Sequence, residues 1–178
     1  MERMSQRKWL FRGKVIDVAL DSVMTADGRQ ARREVVFHRG SVGILALDGE
    51  DILLVRQYRY PTGEFLLEIP AGKLEEGEDP IECARRELEE ETGYSPVSLK
   101  KVWEFWLTPG YSSEKMTLFL ASSVVRGNPG GDPDEDTRLV RTPVSDIPEL
   151  LRAGKVQDAK TLVALAAVAG GLLPLGGE

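Results

Sequence analysis

An α/β chain is the fold class this sequence predicts, on three observations. Apolar stretches of strand length recur from Lys14 to Thr142, a capped segment of helical length interrupts them at Asp79–Thr92, and further helical stretches close the chain. The 178 residues suit one domain with an appendage, since a domain takes about 100–200 residues. With 42% hydrophobic and 29% charged residues, the balance is that of a soluble globular protein and excludes a wholly disordered or fibrous chain.

Taken in order, Lys14–Ala19 and Arg32–Phe37 read as strands on either side of a turn at Ala26-Asp27-Gly28, a small β-unit within residues 1–40. Ser41–Leu47 and Asp51–Tyr58 flank Asp48-Gly49-Glu50 as a hairpin, and Glu64–Ile69 adds a strand before a turn at Pro70-Ala71-Gly72. Asp79 supplies an N-cap, Pro80 suits the first helical position and Gly93 ends the run, so Asp79–Thr92 is expected to be helical. Leu99–Trp106 and Met116–Val125 read as strands. Arg126 to Asp136 is a polar loop carrying Asp132, Asp134, Glu135 and Asp136, and Thr137–Thr142 is a last strand. Helices over Ile147–Ala153 and Ala159–Ala169 follow, the second capped by Asp158.

Charge and composition remove several function classes. A net charge of -6 argues against a general nucleic-acid binder, which normally supplies excess Lys and Arg, although an acidic protein still binds phosphates through divalent cations. Cys83, the single cysteine, cannot form an intrachain disulfide, so a reducing cytoplasm fits best. His38 is the single histidine, which excludes a histidine-rich zinc centre and weighs against a His-dependent triad. Met1 to Arg12 lacks the apolar core of a signal peptide. Thr161 to Leu175 is interrupted by glycine and proline and falls short of the roughly 20 residues of a membrane span, so none is expected.

The expected helix carries the chemistry. Offsets of three and four place Ile81, Ala84 and Leu88 near one face and Glu87, Glu90 and Glu91 near another, so one face can pack while the other binds. Clustered carboxylates repel one another, and a hard divalent cation reverses that penalty by taking their oxygens as ligands. Magnesium suits such a set because it prefers oxygen and retains waters. Taken alone, the row fits a solvated acidic face as well.

The surrounding pattern decides between these. Gly72, Glu78, Arg86-Glu87-Leu88, Glu90-Glu91 and Gly93-Tyr94 give the spacing G-x5-E-x7-R-E-U-x-E-E-x-G-U over 23 residues, with U a bulky aliphatic residue. This resembles the Nudix box of the Nudix hydrolases, with Tyr94 at the last U position as the one departure. The resemblance implies an α/β/α sandwich with a mixed β-sheet, the small N-terminal β-unit of residues 1–40 joined to a Nudix domain over 41–178, and metal-dependent hydrolysis of a nucleoside diphosphate linked to another moiety. It implies Glu87 and Glu91 as principal metal ligands with Glu90 assisting, while Glu78 and Arg86 orient the helix and loop.

Pro109, 16 positions after Gly93 within Leu107-Thr108-Pro109-Gly110-Tyr111-Ser112-Ser113-Glu114, is placed as in the ADP-ribose pyrophosphatase subgroup. Arg56-Gln57-Tyr58-Arg59 and Leu67-Glu68-Ile69-Pro70-Ala71-Gly72 look like segments of that subgroup too. The resemblance implies hydrolysis of ADP-ribose to AMP and ribose 5-phosphate with Mg2+, or Mn2+, and a metal contact from the Ala71 carbonyl. It also implies a homodimer whose N-terminal strands, with Trp9, help build the substrate site. Arg59, with Arg56, can meet the pyrophosphate with forked donors, and Glu114 can reach a metal-bound water or a ribose hydroxyl. The attacking water needs a base. Glu135 is the first choice, with Asp134 and Asp136 beside it and a helix glutamate such as Glu90 as the alternative. Tyr58, Phe105, Trp106 and Tyr111 offer a stacking wall for adenine or belong to the core. Other substrates stay open: GDP-mannose or another nucleotide sugar, a dinucleotide cofactor, a nucleoside triphosphate, or a nucleotide bound without cleavage.

Overall fold

The computed structural model of the chain describes residues 1–127, 137–173 and 175. Two compact units are present: Met1–Gly40 with Phe105–Met116, and Ser41–Glu104 with Thr117–Glu178. In the first, β1 (Arg3–Arg12), β2 (Ile16–Met24) and β3 (Gln30–His38) form an antiparallel sheet in the order β1-β2-β3. The central strand alternates as a half-buried strand must, with Ala19, Asp21 and Val23 inward. Arg7 holds the inward Asp21 through two bonds of 2.8 and 2.7 Å. The sequence reading misses β1, because nine of its ten residues are exposed and no apolar alternation marks them. Tyr111 and Ser113 join the same unit through backbone bonds with Val36.

The second unit is built on β4 (Ser41–Asp48) and β5 (Asp51–Arg59), a hairpin turning at Gly49, whose φ of 66° only glycine adopts readily. Next come β6 (Glu64–Glu68), β7 (Ala71–Lys73), α1 (Pro80–Thr92), β8 (Tyr94–Pro96), β9 (Lys100–Trp106), β10 (Lys115–Ala121), β11 (Val124–Arg126) and β12 (Thr137–Pro143). A 3-10 turn at Val144–Asp146 leads into α2 (Ile147–Arg152), and α3 (Ala159–Ala169) follows. A seven-stranded sheet runs β12-β5-β4-β10-β9, with β6 on β5 and β7 on β4, while β8 and β11 pair separately.

Every residue of β4 from Ser41 to Leu47 is buried, so both faces of the sheet are covered. Val42, Ile44 and Ala46 line one face with Leu53 and receive Cys83, Ala84 and Leu88 of α1. Leu45, Leu47, Ile52 and Leu54 point to the other face and are equally buried. The α3 helix buries Ala164 and Leu165 and meets the end of β6. This is the α/β class expected.

Two local expectations change. Pro70-Ala71-Gly72 is not a turn: β4 pairs with β5 only through Ala46–Asp48, and its first half finds backbone partners in β7 instead. The strand expected over Met116–Val125 breaks after Ala121, because Val124–Arg126 leaves to pair with Tyr94–Pro96.

Candidate active site

Helix α1 begins and ends where its residues dictate. The Asp79 carboxylate accepts from the Ile81 amide at 3.0 Å, Pro80 needs no amide partner, and Gly93 closes the helix at φ 72° by donating to the Glu89 carbonyl. With Cys83, Ala84 and Leu88 buried against the sheet, the carboxylates project from the remaining face.

Arg86 gathers them. Its Nη1 donates to Glu87 at 2.7 Å and Glu90 at 3.0 Å, while Nε and Nη2 donate to Glu78 at 3.1 and 3.3 Å. Burial works against the Arg86 charge, but these carboxylates outweigh it and raise its pKa. The hydrogen bond from Arg86 in turn holds Glu78 below the usual glutamate value. Glu78 also accepts from the Glu75 amide at 2.9 Å, which fixes the loop leading into the helix. Burial pushes the Cys83 thiol up to about 12, which makes it packing and not a nucleophile.

The Glu87 carboxylate lies against Gly72. A Cβ at Gly72 would stand 1.9 Å from Glu87 Cδ, so the box glycine leaves room for the box glutamate. One residue earlier, the Ala71 amide donates to Glu91 at 3.0 Å. Glu87 and Glu91 therefore reach the Ala71–Gly72 backbone while Glu90 is tied to Glu87 through Arg86, and the ligand atoms these residues offer are oxygens, the kind that hard divalent cations prefer. Among the described residues no three acidic, histidine or cysteine side chains converge as a ready metal site, and Arg86 and the Ala71 amide hold the carboxylates instead. The oxygen donors fit a hard divalent ion.

Arg59 is placed by a second ionic group. Its Nε and Nη2 each donate to Glu68 at 2.7 Å, and Lys160 also pairs with Glu68. Burial pushes Glu68 up, yet its two cations prevail and hold it below the ordinary value. The hydrogen bond to Glu68 raises Arg59, with Glu91 and Asp158 adding to its stabilisation. Arg56 lies elsewhere on the hairpin, its guanidinium 3.9 Å from the Phe65 ring centroid. Tyr58 packs on Phe65 at 5.3 Å. In the first unit, the Glu114 amide donates to Ser112, and Trp106 and Tyr111 line a cavity of about 340 Å³ with Pro109 and Val35. Glu135 lies outside the described residues, as do Asp132, Asp134 and Asp136. Sequence reasoning did not single out Glu68, Lys160 and Thr161, which hold Arg59 and the Ile69 amide; the available signal was a lone carboxylate in the apolar run Phe65-Leu66-Leu67-Glu68-Ile69.

The NUDIX domain family matches residues 37–165. The chain belongs to the Nudix family. Similar proteins include an ADP-ribose pyrophosphatase of Bacillus subtilis, 40% identical over 92% of this chain and 90% of the relative. A methanol dehydrogenase activator of Bacillus methanolicus is 35% identical over the same shares. A GDP-mannose pyrophosphatase of Cronobacter sakazakii is 34% identical over 78% of this chain and 79% of its own length. A crystal structure of an ADP compounds hydrolase superposes with a TM-score of 0.84 at 24% identity, covering 96% of this chain and 94% of that one, and so shares the Nudix fold. No described helix is long and apolar enough to cross a membrane.

Proposed function

We propose that the chain hydrolyses ADP-ribose to AMP and ribose 5-phosphate with Mg2+, or Mn2+, as its resident cation. The observation that carries this reading is Glu87 packed against Gly72, with Glu91 on the neighbouring Ala71 amide and Glu90 sharing Arg86 with Glu87, in a chain that an ADP-ribose pyrophosphatase matches along almost its whole length. Glu87, Glu91 and Glu90 with the Ala71 carbonyl would hold the ion. When bound, the ion neutralises charge on the bridging oxygens and acidifies a water.

The chain's own residues do the rest. Arg86 keeps the carboxylates close together while no ion is present, lowering the cost of their mutual repulsion. Arg59 offers donors to the diphosphate, Arg56 would have to leave the Phe65 ring to join it, and Glu114 accepts from a ribose hydroxyl. Glu135 takes the proton of the attacking water, with Glu90 the alternative base. Residues 1–40 serve as the dimerisation element of a homodimer and 41–178 as the catalytic domain. The protein works in the cytoplasm on a small nucleotide, without nucleic acid or membrane.

Product analysis tests this on ADP-ribose, GDP-mannose and a dinucleotide cofactor, each with and without Mg2+. Release of AMP and ribose 5-phosphate from ADP-ribose, only with the cation and fastest of the three, supports the reading. Faster cleavage of GDP-mannose, or tight binding with no cleavage, overturns it.

A further inference from the structure

The first turn of α3 reaches into the segment that precedes the box glycine. Asp158 caps the helix by accepting from the Thr161 amide at 3.0 Å, and the Thr161 hydroxyl donates to the same carboxylate. That hydroxyl accepts from the Ile69 amide at 2.8 Å. Beside it, Lys160 pairs with Glu68 and, at 3.0 Å, with Asp158. Thr161 is fully buried, Glu68 is 1% exposed and Lys160 7%.

Four consecutive residues are thereby pinned. Glu68 is held by Arg59 and Lys160, the Ile69 amide by Thr161, the Pro70 carbonyl by the Ile44 amide at 2.8 Å, and the Ala71 amide by Glu91. Burying an ion cluster of this kind gives little net stability compared with apolar packing, so its persistence calls for another benefit. Its two exits identify that benefit. One is Arg59, whose Nη1 makes none of the bonds to Glu68; the other is Ala71, whose amide meets a box glutamate.

We propose that Lys160 and Thr161 are positioning residues for the reaction: Lys160 fixes Arg59 through Glu68, and Thr161 fixes the Ala71 backbone through the Ile69 amide. This rests on the proposed function, which places Arg59 at the diphosphate and the Ala71 carbonyl at the cation. Glu68 alone could swing with Arg59 as a mobile pair, and the Lys160 ammonium locks its second oxygen. A valine at 161 would fill the same space without the acceptor, leaving the Ile69 amide buried and unpaired and free to shift Ala71.

The test compares Lys160→Met and Thr161→Val with Lys160→Arg and Thr161→Ser in the full chain, each checked for folding by thermal melting. Mn2+ uptake without substrate is read by electron paramagnetic resonance, and KM for ADP-ribose by steady-state hydrolysis at saturating Mg2+. Thr161→Val is expected to weaken Mn2+ uptake by about 10-fold, with Thr161→Ser restoring it. Lys160→Met is expected to raise KM by about 10-fold at unchanged Mn2+ uptake, with Lys160→Arg recovering part of the loss. A merely structural role would not divide the two readouts in this way. Folded variants whose Mn2+ uptake and KM both stay within about twofold of the parent overturn the proposal. Should Lys160→Met not fold, the Glu68→Gln/Lys160→Met pair removes both charges and carries the KM test; should Thr161→Val not fold, Thr161→Ala carries the Mn2+ test. A parent that leaves ADP-ribose intact defeats the functional reading, while the Mn2+ comparison still judges Thr161.

Discussion

Gly72 and Glu87, fifteen positions apart, are packed so closely that any side chain at Gly72 would occupy the Glu87 carboxylate: the missing Cβ would stand 1.9 Å from Cδ and 2.0 Å from Oε1. The glycine is required by this approach. Gly72→Ala should push Glu87 off its place and reduce turnover by about 10- to 100-fold, with an increased Mg2+ requirement. Steady-state rates across a Mg2+ titration check this, and an unchanged Mg2+ requirement would show that Glu87 does not depend on the space.

Glu87→Gln and Glu91→Gln should each remove most turnover while the protein stays folded, because the amide keeps the shape and loses the charge that would hold the proposed cation. Hydrolysis at saturating Mg2+ with circular dichroism of the same samples measures both halves. Full activity in both variants would remove these residues from the metal role.

The helix was legible from its sequence because its determinants are local. Asp79, Pro80 and Gly93 act within one or two turns, and the spacing of Ala84 and Leu88 against Glu87, Glu90 and Glu91 is set by the helix period. The cluster around Glu68 was not legible, since Lys160 and Thr161 come from 92 residues away and only the fold brings them together. Strand β1 was hidden for the opposite reason: exposed on both sides, it lacks the alternation that marks a half-buried strand. The Tyr94 departure also has a physical account, for its hydroxyl accepts from Arg141 of β12 at 2.9 Å, a polar tie that an aliphatic residue would lack.

Arg86→Met should destabilise the fold by about 1.5–3 kcal/mol at neutral pH, the range for hydrogen bonds to charged groups, since Glu78, Glu87 and Glu90 would lose their shared donor. Urea denaturation measures the loss. Added Mg2+ should narrow the gap between variant and parent, because a divalent ion can take over the charge compensation at Glu87 and Glu90.

Acid should weaken the fold through Glu68 and Glu78, both held below the ordinary glutamate value of 4.5. For Glu68, burial opposes the shift and the Arg59 and Lys160 partners overcome it; for Glu78, the Arg86 hydrogen bond leads. The unfolded chain then binds protons more readily than the folded one, so their stabilisation is complete above about pH 4.5 and is lost as pH falls through the lowered folded values. Unfolding free energy measured from pH 6 down to pH 3 should fall more steeply in the parent than in Glu78→Gln, and identical slopes would contradict the assignment.

The most direct measurement is Mn2+ binding by electron paramagnetic resonance in the presence of a non-hydrolysable methylene analogue of ADP-ribose, comparing the parent with the Glu87→Gln/Glu91→Gln double variant. The account predicts saturable uptake by the parent, strengthened by the analogue and lost in the double variant. Equal uptake by both proteins, or none by the parent with the analogue bound, would contradict it.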